Sequence, residues 1–150
     1  EIEAVAVDDF NGYVYYSDEA AGIRKYHADP DHVDAASELA IFGTADFDED
    51  REGISIYDAG GGTGYIIVSD QDADRMNIYR REGDPGFPHI HTLVKRVKVR
   101  AEHSDGNEVV SVEISPLYPG GLFVAMSEGG KFHFYSWKQL AGAPGELLAW

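Results

Sequence analysis

One pattern occurs three times in this chain: "EAVAVDDFNGYVYYSDE" from Glu3, "EGISIYDAGGGTGYIIVSDQ" from Glu52 and "EVVSVEISPLYPGGLFVAMSE" from Glu108. Each copy is an acid, an alternating apolar run, a glycine-containing turn and a second run that ends polar. A third run rich in aromatic and β-branched residues follows each copy: "GIRKYHADP", "RMNIYRREG" and "KFHFYSWKQL". Two of the three units add a fourth, "ELAIFG" and "HTLVKRVKV". Apolar and polar residues alternate with period two in these runs, as they must in half-buried strands.

The steps from Glu3 to Glu52 and from Glu52 to Glu108 are 49 and 56 residues, the length of one four-stranded propeller blade. The expected fold is all-β: about three four-stranded antiparallel blades, over residues 1–45, 46–100 and 101–150, belonging to a β-propeller. A sandwich or open meander of about twelve strands is the alternative, and it does not explain why the unit repeats as a block. Closed propellers have about four to eight blades, so three leave the ring open and its strand edges exposed. The third unit also lacks a fourth strand. The chain is therefore expected to be a piece of a larger propeller, or to close a six-bladed ring by pairing with a second copy.

Charge narrows the partners. Twelve basic residues against 27 acidic ones give a net charge of −15, which repels nucleic acid and anionic lipid, so neither is expected to bind. No apolar run approaches the length that spans a bilayer, the first residues have neither the basic start nor the apolar stretch of a signal peptide, and the absence of cysteine removes disulfides and thiolate metal sites.

Several motif-like stretches lack what their chemistry needs. "DFDEDREG" from Asp46 opens like an EF-hand loop, but Arg51 stands where the sharp turn needs glycine and no Glu closes the loop; "DQDADR" from Asp70 fails likewise. "GGGTG" at 60–64 has the glycines of a phosphate loop without its Gly-Lys-Ser/Thr ending, and reads as a hairpin turn. His89 and His91 would share a strand face, yet no third ligand accompanies them, so an edge-strand or loop role is expected. Tyr13, Tyr15, Tyr16, Phe123, Phe132, Phe134, Tyr135 and Trp137 read as blade packing. No Gly-x-Ser-x-Gly elbow is present.

The acids at strand ends are different. A propeller gathers equivalent strand ends around one mouth of its central channel, where Glu3, Glu19, Asp50, Glu52, Gln71 and Asp105 would meet. Two carboxylates about 4 Å apart repel by roughly 4 kcal/mol at an effective dielectric near 20. Either the acids form a solvated rim, or a hard cation neutralises them. An all-oxygen donor set points to Ca²⁺, which accepts six to eight oxygens in flexible geometry.

Glu3 with Asp8-Asp9 and Gly12, then "YYSDEAAGIRKYHADP", "DREGISIY", "GYIIVSDQ" and "SDGNEVVSVEISPLYPGGLFVAMS" resemble the second half of the β-propeller phytases, over Glu3 to about Trp137. The resemblance implies a secreted or periplasmic, six-bladed, calcium-dependent 3-phytase-like enzyme that removes phosphate from inositol hexakisphosphate by attack of metal-activated water. It implies that Glu3, Glu19 and Glu52 hold the catalytic calcium, that Asp50 and Gln71 complete a neighbouring coordination sphere, and that Asp105 is a further acidic site position. Two departures stand out: "RAEHSDG" is shorter than the family's acidic loop before Asp105, and Ser127 replaces an acid found in some members. The resemblance places the phosphate-binding bases mostly in the half that this chain lacks, and no motif assigns Lys25, Arg51 or Arg75 to substrate. A phytase-like propeller that binds calcium or a protein partner without catalysis is the alternative.

Overall fold

The structure, a computed structural model, describes residues 1–142. Eleven strands form three antiparallel sheets in chain order. Sheet 1 is β1 (Ile2–Asp8), β2 (Tyr13–Asp18), β3 (Gly22–His27) and β4 (Ala40–Phe42); sheet 2 is β5 (Arg51–Gly60), β6 (Thr63–Asp70), β7 (Arg75–Arg80) and β8 (Leu93–Lys98). Among the described residues, sheet 3 has β9 (Asn107–Val110), β10 (Leu122–Ser127) and β11 (Lys131–Ser136). Each strand pairs with the next in sequence, the connectivity of propeller blades, and β5 contacts both β1 and β9, so the first strands run side by side on the inner edge. Among the described residues the third blade shows three strands; residues 143–150 of its range lie outside the described residues.

Period-two alternation builds the core. On β6, Ile66 and Val68 point towards sheet 1 and pack with Tyr15, Ile23 and Phe42, whereas Tyr65 and Ile67 point towards sheet 3 and pack with Phe123, Ala125 and Trp137. Sheet 2 thus lies between two neighbours, which is why "YIIV" is apolar at every position. The "GGGTG" stretch is the β5–β6 turn, with Gly60, Gly61 and Gly62 all at positive φ, where a side chain would be strained.

Two expectations are corrected. Phe132 and Phe134 do not pack inside a blade: they are 64% and 56% exposed on β11, as are Val5 and Val7 on β1 at 60% and 53%. These side chains face outward from the first and last sheets, where no further sheet among the described residues covers them. "KFHFYSWKQL" is also not one strand. Ser136 ends β11 and caps a short helix, α1 (Trp137–Ala141), by accepting from the Gln139 amide while the Gln139 side chain accepts from the Ser136 amide. The Ser-x-x-Gln spacing carries that signal. The turn delivers the Trp137 indole onto the Tyr57 ring at 3.8 Å, joining blades 2 and 3.

Blades 1 and 2 share a buried polar contact. The loop before β8 carries His89 and His91, as the loop reading expects; His91 is buried with Nδ1 2.7 Å from the Arg80 carbonyl and Nε2 3.2 Å from Lys25 Nζ. Nδ1 therefore holds the proton, and Nε2 accepts from Lys25, which also donates to the Pro88 carbonyl at 2.7 Å. Burial pushes the His91 pKa down to about 4 and the Lys25 pKa down to about 8. For both groups the unfolded chain binds more protons in the interval between the two pKa values, so stability rises with pH there. Thermal unfolding of the metal-free protein from pH 4 to 6.5 is expected to show a rise from His91 that His91→Gln removes. An unchanged pH dependence in that variant would contradict the buried, neutral imidazole.

Candidate metal centre

The same irregularity recurs at the start of blades 1 and 2. In β1–β2, Ile2 pairs with Asp18 and Val5 with Tyr16, leaving Glu3 and Ala4 opposite the single residue Ser17. In β5–β6, Arg51 pairs with Asp70 and Ile54 with Val68, leaving Glu52 and Gly53 opposite Ser69. Each is a β-bulge, which re-aims side chains and frees an amide from the ladder. In blade 1 the freed Ala4 amide donates to Ser17 Oγ at 2.8 Å. The repeat thus places one glutamate at one bulge in each of two blades. Gly53 has its own reason: a Cβ there would stand 2.7 Å from the Gly106 Cα and the Asn107 amide, so only glycine lets the start of β9 come this close to β5.

That approach brings acids from three sheets together. Glu1, Glu3 and Glu19 each offer a carboxylate oxygen within 4.8 Å of the others. Asp50 and Gln71 lie side by side, the Gln71 amide donating to the Asp50 carbonyl at 3.1 Å, and the Gln71 side-chain amide donates to Asp105 Oδ1 across to blade 3. Glu52 sits buried between the two groups. Burial first, then the charges of Glu3, Asp105, Asp50 and Glu19, push its pKa up to about 7. All six residues singled out from sequence therefore belong to one electrostatic neighbourhood. Glu1 was not foreseen, although its i, i+2 spacing to Glu3 puts both on one face of a strand. In blade 3 the acid acting on Glu52 is Asp105, not Glu108, whose Oε1 turns back to accept from the Val109 amide.

The donor set fits a hard divalent cation. It is entirely oxygen, and a carboxyl whose pKa is raised to about 7 by burial and then by surrounding carboxylates is a group whose anionic form lacks a counter-charge. Other acids have found theirs: Asp70 and Asp48 accept from Arg75, and Asp46 accepts from Arg96 and Tyr79, so the EF-hand-like stretch is tied up in ion pairs and hydrogen bonds. Beside Gln71 and Asp105 a cavity of about 550 Å³ opens, lined also by His103, Ser127 and Glu128.

The sequence model of one protein family, described as Phytase, matches residues 1–143. The chain belongs to the phytase family. This phytase-family chain is 29% identical over 160 residues to the 3-phytase of Bacillus subtilis (strain 168), in an alignment covering 98% of this chain and 41% of that protein. It therefore spans about two fifths of the length of the curated relative it matches.

Proposed function

We propose that this chain is part of a calcium-dependent phosphomonoesterase that releases phosphate from inositol hexakisphosphate. The observation that carries the reading is the buried Glu52 carboxyl, ringed by carboxylates from three sheets, in a chain of the phytase family. Glu3, Glu19 and Glu52 hold the metal on the blade 1–blade 2 side, with Glu1 beside them; Asp50, Gln71 and Asp105 complete it on the blade 3 side. Calcium bound there supplies the positive charge that attracts an anionic substrate to an acidic protein, acidifies a water and stabilises charge on the phosphoryl oxygens.

The protein's own residues set the conditions. Glu52, the carboxyl whose proton affinity is shifted to near neutral pH, gives up its proton as it becomes a ligand. The bulges fix Glu3 and Glu52 on the inner edge of the sheets, so little rearrangement is needed on binding. The exposed outer faces of sheets 1 and 3 receive further blades from the rest of the protein, which also contribute the basic residues that bind phosphate. Pairing of two copies is the other way to cover those faces. The family resemblance supports export from the cytoplasm.

The test is phosphate release from phytate by the intact protein, in excess calcium and after chelation. Calcium-dependent release is expected, and calorimetry near pH 7 should show proton release on calcium binding, because a ligand must be deprotonated. Calcium binding without any release would leave a non-catalytic calcium scaffold.

A further inference from the structure

Arg51 stands between two proposed ligands, Asp50 and Glu52, yet its side chain serves neither. It pairs with Asp70 across the ladder and points to the face of sheet 2 that meets sheet 1. There Nη1 donates to the carbonyl oxygen of Glu19, in the turn between β2 and β3, and the guanidinium lies 5.1 Å from the centre of the Phe47 ring. Arg51 is only 7% exposed, and its Nε has no hydrogen-bond partner among the described residues. Burying a guanidinium with an unmet donor costs free energy, and an apolar side chain could fill the space beside Phe47 without that cost. Stability alone therefore does not account for an arginine here.

The contact it makes is with a proposed ligand that lies in a turn. Glu19 falls just beyond β2; its amide donates to the Glu1 carbonyl at 3.1 Å, and Arg51 holds its carbonyl from the other blade. We infer that Arg51 is a positioning residue for the metal centre, clasping the Glu19 turn so that its carboxylate is held beside Glu3 in its own blade and near Glu52 in the next. This rests on reading the centre as a calcium site. In the metal-free protein, carboxylate repulsion drives the Glu19 turn away from the mouth, and the clasp opposes that movement. Less ordering is then left to calcium itself, which raises affinity. Arginine suits the role because its planar fork is pre-organised and stays charged when buried.

The experiment uses the intact protein, titrated with calcium alone. Arg51→Met is expected to weaken calcium binding about tenfold or more, as loss of a group that orients metal ligands does. Arg51→Lys, which keeps a donor within reach of the carbonyl, should recover part of that loss and serves as the comparison if Arg51→Met does not fold. Arg24→Met removes a similar charge from the outer pair with Asp18 and Glu38 and should leave affinity unchanged. In the metal-free state the amides of Glu19 and Ala21 should exchange faster in Arg51→Met. Wild-type calcium affinity in Arg51→Met, whatever its melting temperature, overturns the inference while the calcium site stands. A wild-type protein that binds no calcium removes the site itself, and the inference with it.

Discussion

Glu52→Gln in the intact protein is expected to lower calcium-dependent phosphate release by roughly a hundredfold or more while leaving the fold in place. Loss of a group that merely orients a ligand costs about 10- to 100-fold in metal affinity or activity, and Glu52 is placed as a ligand itself. The sign of the stability change makes the prediction sharper. In the metal-free protein Glu52 is buried among four other carboxylates and its pKa is raised to about 7, so its ionisation opposes folding increasingly as the pH rises from the ordinary carboxylate range through 7. Removing the charge should keep or raise the melting temperature in chelator at pH 8, and should abolish the gain that calcium brings to the wild type. Unchanged turnover in Glu52→Gln would end its assignment; a collapse of the metal-free fold would mean that it belongs to the core.

The second large effect lies at the other end of the blades. Arg81 grips Asp8 with a two-pronged pair, Nε to Oδ2 at 2.8 Å and Nη2 to Oδ1 at 2.5 Å, and reaches Asp58 with Nη1 at 2.8 Å. The Asp8 side chain is 0% exposed. Burial works to raise the Asp8 pKa, but hydrogen bonds from Arg81 and Asn11 outweigh it and the net shift is downward. Arg81→Ala leaves Asp8 buried without its counter-charge, which costs about 3–5 kcal/mol. Adding Asp8→Asn should recover a large part of the loss, because the remaining group is neutral and still bonded to Asn11. Denaturant unfolding of the intact protein measures both. A loss below about 1 kcal/mol for Arg81→Ala would place the pair with surface ion pairs in effect, despite its burial.

Lys25, Arg51 and Arg75, bases without an assigned role in the sequence, each prove to be structural partners. Lys25 enters the interface of blades 1 and 2, Arg75 pairs with Asp48 and Asp70, and Arg51 joins Glu19. Each is engaged by groups of this chain.

What could be read from the chain alone was whatever is local. The pleat forces side chains to alternate, so the strands showed as period two; glycines marked the hairpin at 60–64; and repetition of the unit every 49 and 56 residues marked the blades and set Glu3 and Glu52 at like positions. The acids could be listed because a repeat maps strand ends onto one another. Contacts between blades were not legible, because they join residues far apart in sequence whose spacing carries no period. Only the packed sheets showed that bulges opposite Ser17 and Ser69 re-aim the two glutamates, that Gly53 admits β9, and that Asp105 rather than Glu108 reaches Glu52. The exposure of Phe132 and Phe134 was hidden for the same reason: an aromatic on a strand is buried only if another sheet lies against it, and no local pattern records whether one does.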